Sequence, residues 1–145
     1  MSKIVEILKQ IQADASVFYI KVHNYHWSVK GMDFHPTHAA TQEIYEKYAD
    51  VFDDVAERVL QLGGMPYVTM SDLLKNAKVK EESATSFSSK QIAQAILSDY
   101  EYFLESFSVL SSEADKAGDK VSAAYADDKV AELQKAIWML KAQLA

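Results

Sequence analysis

Four long segments of the chain carry apolar residues at alternating spacings of three and four, which is the pattern of an α-helix with one buried face. These segments cover residues 4–29, 45–62, 92–114 and 121–144. The 145 residues include only four Gly and two Pro, and this shortage of helix-breaking residues disfavours a turn-rich all-β fold. The sequence therefore predicts an all-α fold built from four long helices.

The connections between the segments predict how the helices are arranged. Residues that stop or start helices lie between them: Gly31, Pro36, Gly63, Gly64, Pro66, Ser88, Ser89, Gly118 and Asp119. The short connections make the first and second helices antiparallel neighbours, and likewise the third and fourth. About 25 residues lie between Gly63 and Ser89, with a short helical candidate at residues 71–78. Two hairpins joined by one long crossover form the ferritin-like variant of the four-helix bundle, here as a single domain over residues 1–145.

The composition excludes several classes of protein. The absence of cysteine rules out disulfide frameworks, cysteine-based zinc modules and iron–sulfur clusters. Glu6 and Lys9 interrupt the N-terminal apolar residues, so they do not form a signal peptide, and no stretch reaches the roughly 18 apolar residues of a membrane span. The net charge of −6 opposes attraction to nucleic acid or anionic lipid and suits cations as partners. We expect a soluble, cytoplasmic protein that does not bind membranes.

All four histidines lie in one 16-residue window around the first predicted turn, at positions 23, 26, 35 and 38. A single histidine is usually a surface residue or a hydrogen-bonded core residue. Clustering at a helix–turn–helix corner makes a metal site more plausible, because imidazole is a good ligand for iron, zinc or copper.

The second helix carries a run of acidic residues: Glu43, Glu46, Asp50, Asp53, Asp54 and Glu57. Positions 46, 50, 53 and 57 follow one another at helical spacing and form one stripe, in which like charges repel. Such a stripe is either an ordinary solvated face or a surface that cations neutralise. Asp53 and Glu57 lie about 120–160° around the helix from its apolar face and point away from the core.

A metal centre inside the bundle is not expected. Ferritin-like di-iron centres use Glu-x-x-His pairs, and no histidine of this chain has Glu three positions before it. His38 and Asp53 are 15 residues apart on one helix, or roughly 22 Å, and His26 should lie near His38. One ion cannot bridge that distance, because such ligand bonds are only about 2 Å long.

If these residues share a metal ion, the histidines and the carboxylates must therefore come from different subunits. A two-fold dimer with antiparallel copies of the second helix brings them together and forms two sites per dimer. The small or apolar residues Ala49, Ala56 and Leu60 flank the carboxylate side and suit close approach of a partner.

The sequence around these residues resembles the Dps family of bacterial miniferritins. The resemblance is carried by the run HNYHWSVKGMDFHPTHAATQEIYEKYADVFDDVAERVLQLGG and by the closing YADDKVAELQKAIWMLKAQLA, and it covers essentially the whole chain. It implies a hollow, twelve-subunit shell that binds Fe²⁺ between two-fold-related subunits. It also implies ferroxidase activity, preferentially with hydrogen peroxide, and storage of ferric mineral that protects DNA and the cell from oxidative damage.

The resemblance also implies roles for individual residues. The family's ligands fall on His26, His38, Asp53 and Glu57. Many members have an acidic residue where this chain has Gln42, so we expect one iron ion per centre rather than two.

Further roles follow from the same resemblance. Trp27 is expected beside the metal as an electron donor, although a packing role in the core or at an interface fits this residue equally well. Trp138 and the eight tyrosines are expected to serve mainly in packing. Acidic residues that line the family's iron-entry pores correspond to Asp119 and Asp128, and Asp119 also fits a helix cap. The acidic residues expected to nucleate mineral are Glu43, Glu46 and Asp50.

Two other functions remain open from the sequence. Some relatives compact the nucleoid by binding DNA, often through Lys-rich tails, but helical periodicity here begins at residue 4 and continues to residue 144. We therefore expect direct DNA binding to be weak or absent. A structural bundle could instead hold zinc at the same ligands, because zinc generally binds more tightly than Fe²⁺.

Overall fold

In the computed structural model, which describes residues 2–145, the four amphipathic segments form four long helices and the crossover contains a fifth, short one. The helices are α1 (Ser2–Ser28), α2 (Phe34–Gln61), α3 (Met70–Asn76), α4 (Ser89–Lys116) and α5 (Lys120–Leu144). The predicted all-α, ferritin-like bundle with one long crossover is confirmed. None of the helices in residues 2–145 combines the length and apolar character needed to cross a bilayer.

The core is formed by the apolar faces of the four long helices. α1 packs mainly on α2, and α4 mainly on α5, as expected for two hairpins. Aromatic rings join the hairpins: Phe18 of α1 meets Tyr48 of α2 with 4.7 Å between ring centroids and Phe103 of α4 with 5.3 Å. These edge-to-face contacts are the favoured geometry for packed aromatic rings. α5 closes the core with the buried residues Leu133 and Ile137.

Helix α2 begins well before the apolar repeat that predicted it. Its first turns contain Pro36, as expected for a first-turn proline, and they bury Thr41 in place of an apolar residue. The Thr41 hydroxyl donates to the Thr37 carbonyl at 2.7 Å, so a polar side chain is satisfied in a buried position. Apolar periodicity alone could not detect these turns.

Two expectations for α5 were wrong. Val121, the first residue of the fourth apolar segment, was expected on its buried face, but it is exposed, and Ser122 is buried instead. The Ser122 hydroxyl accepts from the Arg58 guanidinium at 2.9 Å, so this polar side chain is satisfied in a buried position. Trp138 was expected to pack, but it is exposed because the buried face of α5 runs through Ile137.

A buried carboxylate attaches the middle of the crossover to the bundle. Asp14 of α1 is fully buried and accepts from the backbone N–H groups of Lys78 and Val79 at 2.6 and 2.9 Å. Its other oxygen accepts from the Tyr102 hydroxyl of α4 at 2.5 Å and from the Gln10 amide at 3.2 Å. Asp14 therefore joins α1, α4 and the middle of the crossover.

The second half of the crossover is also attached to α1. The Asn24 amide donates to the carbonyls of Glu82 and Ala84 at 3.0 and 2.9 Å. Phe87 then exchanges backbone hydrogen bonds with Ser28 and Lys30. α4 begins with a capping box in which the Ser88 hydroxyl and the Gln91 side chain each accept from the other's backbone N–H, which confirms Ser88 as its cap.

We predict that Asp14→Ala destabilises the fold strongly. The substitution removes the shared acceptor of the Lys78 and Val79 N–H groups and of the Tyr102 hydroxyl, and the expected loss in free energy of unfolding is about 3 kcal/mol or more. Denaturant unfolding measures this loss. Glu101→Ala, on the exposed face of α4, is the control and should change stability by no more than about 0.5 kcal/mol. Equal effects of the two substitutions would contradict the role of Asp14.

Candidate metal centre

Two histidines face each other across the α1–α2 turn. The rings of His26 and His38 stack with 3.6 Å between their centroids and 14° between their planes. The His26 Nδ1 lies 2.7 Å from the His38 carbonyl, and the His38 Nδ1 lies 2.8 Å from the His26 carbonyl. Because a carbonyl oxygen only accepts hydrogen bonds, this geometry assigns the proton of both rings to Nδ1. Both Nε2 atoms therefore keep a lone pair that can bind a metal ion.

The surroundings of His26 favour its neutral, metal-binding form. The residue is only 7% exposed. Burial lowers the pKa of His26 below its ordinary value, and the neighbouring His38 and His23 also lower it, while the hydrogen bond to the His38 carbonyl opposes this shift. Protons therefore compete less with a metal ion for this Nε2 than for that of an ordinary histidine.

Aromatic rings surround the histidine pair. Phe34 stacks on His38 with 5.1 Å between centroids, and Tyr45 meets His26 edge-on at 5.2 Å. His23 does not join the pair: its Nδ1 lies 2.8 Å from the Tyr19 carbonyl, and its ring stacks on Tyr45 at 3.7 Å. The sequence showed the spacing of four between Tyr19, His23 and Trp27, but it could not show the insertion of Tyr45 from α2.

Trp27 and His35, two further residues near the α1–α2 turn, lie outside the pair. Trp27 is 66% exposed and is not a core residue of the single chain, and its ring centroid is 5.3 Å from that of His23. His35 is exposed on the first turn of α2 and meets the edge of Phe34.

The predicted carboxylate ligands lie on the exposed face of α2, as expected. Asp53 and Glu57 point away from the core on the same uninterrupted helix that begins near His38. His38 and Asp53 are 15 positions apart, or about 22 Å along the helix, so the single chain does not bring them together. Within residues 2–145, no three side chains of the metal-ligating acidic and histidine types converge on one point.

The three acidic residues expected to nucleate mineral lie on the surface of α2. Glu43, Glu46 and Asp50 are all exposed, and the Gln42 amide donates to a Glu46 carboxylate oxygen at 2.9 Å. Gln42 is thus held by a neighbour on its own helix. Its neutral amide adds no negative charge beside His38.

The two predicted pore residues have different environments. Asp128 is exposed on α5. Asp119 is buried and caps α5, because its Oδ1 accepts from the Ser122 N–H at 3.1 Å and from the Arg58 guanidinium at 2.8 Å. Burial opposes ionisation of Asp119, but the hydrogen bonds from Ser122 and Arg58 outweigh it and hold the pKa of Asp119 below its ordinary value. The predicted cap is confirmed, and Arg58 is the partner that sequence reasoning missed.

An apolar cleft of about 480 Å³ lies between α1, α3 and the crossover. Its walls include four large apolar side chains that are more than half exposed: Ile20, Trp27, Met70 and Leu74. A contiguous exposed apolar surface of this kind marks an interaction site more often than scattered apolar residues do.

Comparisons with known proteins identify the family. A family model described as a ferritin-like domain matches residues 5–145. The DNA protection during starvation protein of Helicobacter pylori strain J99 is 57% identical over 143 residues, which cover 99% of each chain. The crystal structure of Helicobacter cinaedi CAIP superposes with a TM-score of 0.97 at 80% identity, covering 98% of this chain and 99% of that one.

A structure of Listeria innocua Dps soaked with zinc is also similar, with a TM-score of 0.90 at 31% identity over 97% of this chain and 95% of that one. The family model, the sequence identity and the fold all agree. The chain belongs to the Dps group of the ferritin-like family.

Proposed function

We propose that the protein is an iron-storage and detoxification ferroxidase whose centre is completed by two subunits. His26 and His38 of one subunit bind Fe²⁺ together with the carboxylates of Asp53 and Glu57 from a two-fold-related copy. The observation that carries this proposal is the reciprocal hydrogen bonding of the two histidines, because it leaves both Nε2 atoms available as ligands. Imidazole nitrogen and carboxylate oxygen together suit Fe²⁺.

The apolar cleft supports a partner subunit beside the histidines. Trp27 lines this cleft and directly follows His26, so a copy that covers the cleft comes close to the histidine pair. The same contact would bury Ile20, Met70 and Leu74, which are exposed in the single chain. Six such dimers would form the twelve-subunit shell expected for the family.

In the proposed reaction, Fe²⁺ is the substrate and hydrogen peroxide is the preferred oxidant. The neutral histidines bind the ion without adding charge, and the partner's acidic residues balance its two positive charges. Gln42 supplies no further charge, so one iron ion per centre is proposed. Ferric ions would then collect on the exposed acidic residues Glu43, Glu46 and Asp50 of α2, and ferric mineral would be stored inside the shell.

Mixing two inactive variants tests whether the centre is shared. The double variants His26→Ala/His38→Ala and Asp53→Ala/Glu57→Ala should each oxidise Fe²⁺ much more slowly than the parent protein. When the two are unfolded together and reassembled, a mixed dimer contains one intact centre and one that lacks all four ligands. Stopped-flow oxidation with hydrogen peroxide should therefore recover part of the parent rate.

Reassembly of each variant alone is the control and should recover no activity. If the mixture also stays inactive while it forms shells of parent size, the centre is not built from two subunits. If the variant His26→Ala/His38→Ala oxidised Fe²⁺ at the parent rate, His26 and His38 would not be ligands of the reacting iron.

A pair of variants tests the proposed iron-entry pore. Asp128→Asn should slow iron uptake without lowering thermal stability, because Asp128 is exposed. Asp119→Asn should lower stability by about 1–3 kcal/mol, because it weakens the buried contact with Arg58. Thermal unfolding and the rate of iron uptake separate the two effects. An unchanged uptake rate in both variants would contradict a pore at this end of α5.

Zinc binding is the second candidate for the same ligands, favoured by the structure of the Listeria innocua relative that was soaked with zinc. Zinc has no redox chemistry, so consumption of hydrogen peroxide in the presence of iron separates the two functions. We further propose that the protein acts in the cytoplasm, where it protects DNA by removing iron and peroxide rather than by binding DNA. The net charge of −6 per chain supports this proposal.

A gel-shift assay tests the proposed lack of DNA binding. Near neutral pH and at physiological salt, the assembled protein should leave duplex DNA unshifted at micromolar protein concentration, because a shell of negatively charged chains repels the phosphate backbone. A basic DNA-binding protein in the same gel is the positive control. A clear shift under these conditions would contradict the proposal.

A further inference from the structure

A continuous series of aromatic rings leads from the surface to the histidine pair. The series begins at Trp27, whose ring centroid is 5.3 Å from that of His23. His23 stacks on Tyr45 with 3.7 Å between centroids and 24° between planes. Tyr45 is 5.2 Å from His26, which stacks on His38. Every step of this series is a contact between neighbouring rings.

Two members of the series are oxidisable. Phenol and indole side chains give up single electrons more readily than imidazole, so Tyr45 and Trp27 are electron donors and His23 is the ring that connects them. Tyr45 is partly buried and comes from α2, whereas His23 and Trp27 come from α1. Packing of the two helices therefore places two oxidisable side chains, Tyr45 and Trp27, near the candidate iron ligands.

We propose that Tyr45 supplies the second electron for peroxide reduction at a centre that holds one iron ion. This inference rests on the proposed ferroxidase function. A single Fe²⁺ ion gives only one electron, whereas hydrogen peroxide needs two to become water without releasing a hydroxyl radical. The position four residues after His38 carries the neutral amide of Gln42 rather than a carboxylate, which weakens the binding of a second ion there. Tyr45, the oxidisable ring nearest to His26 in the series, then takes the place of that second ion as electron donor.

The atoms and charges of this step balance. Hydrogen peroxide, Fe²⁺ and the Tyr45 phenol give Fe³⁺, hydroxide, water and the Tyr45 radical. The O–O bond of peroxide and the phenolic O–H bond break, and the phenol's electron and proton end in water. A second Fe²⁺ ion and one proton then restore the phenol and form a second Fe³⁺. The sum is two Fe²⁺ ions oxidised for each peroxide molecule, with no radical released.

A metal-free experiment tests the ring series by itself. The chain has two tryptophans, so Trp138→Phe leaves Trp27 as the only indole. Azide radicals, which oxidise indole in preference to phenol, would be generated by pulse radiolysis in this protein without iron. We expect the indolyl absorption to decay while the tyrosyl absorption grows, at a rate independent of protein concentration.

Variants show whether the transfer uses the proposed rings. Tyr45→Phe should abolish the fast phase, His23→Ala should slow it, and His23→Phe, which keeps a ring in the stack, should restore it. A fast phase that survives in Tyr45→Phe overturns the assignment of Tyr45. Equal rates in His23→Ala and the parent overturn the role of His23.

A second experiment tests the reaction with iron. The parent protein receives one Fe²⁺ per centre and then hydrogen peroxide, and freeze-quenched samples are examined by electron paramagnetic resonance. We expect a tyrosyl radical, because no further Fe²⁺ is present to reduce it. In Tyr45→Phe this signal should be lost and spin-trapped hydroxyl radical should rise.

Tyr19→Phe is the matched control, because Tyr19 touches His23 and Tyr45 but lies outside the direct series to His26. It should keep the tyrosyl signal. Oxidation of iron by the parent without any tyrosyl radical overturns the inference. Failure of the parent to oxidise iron contradicts the proposed function instead, and the metal-free experiment still decides whether the rings exchange electrons.

Discussion

The structure of the candidate centre depends on two hydrogen bonds that cross the α1–α2 turn. Each of His26 and His38 donates its Nδ1 proton to the backbone carbonyl of the other. Because backbone atoms accept these bonds, the two rings are fixed by the relative position of the helices rather than by flexible side chains. The turn itself uses Gly31 at a φ of +110°, a conformation that other residues rarely adopt.

The sequence predicted the fold well wherever the buried side chains are apolar. Alternating apolar spacings located all four long helices, and the lengths of the connections distinguished two hairpins from a simple up-and-down bundle. The prediction failed where polar groups are buried. Thr41 and Ser122 occupy core positions because nearby backbone or side-chain groups satisfy them, and a pattern of apolar residues does not contain that information.

The candidate site was predictable only where it depends on local sequence spacing. Clustering in the sequence singled out the histidines, and helical geometry placed Asp53 and Glu57 on an exposed face, as the structure has them. The contact of His23 with Tyr45 depends on how two helices pack, and the role of Arg58 depends on the position of α5. Contacts between distant parts of the chain cannot be read from local spacing. The assignment of ligands to a shared centre remains a prediction.

The hydrogen bonds of Asp14 affect where the chain can accommodate insertions. By fixing the backbone at residues 78 and 79, they divide the long crossover into two shorter loops with separate attachments. The entropy of closing a loop grows only slowly with its length, so either half could accept insertions while the other keeps its shape. Insertions before residue 78 can therefore be accommodated without altering how α4 enters the bundle.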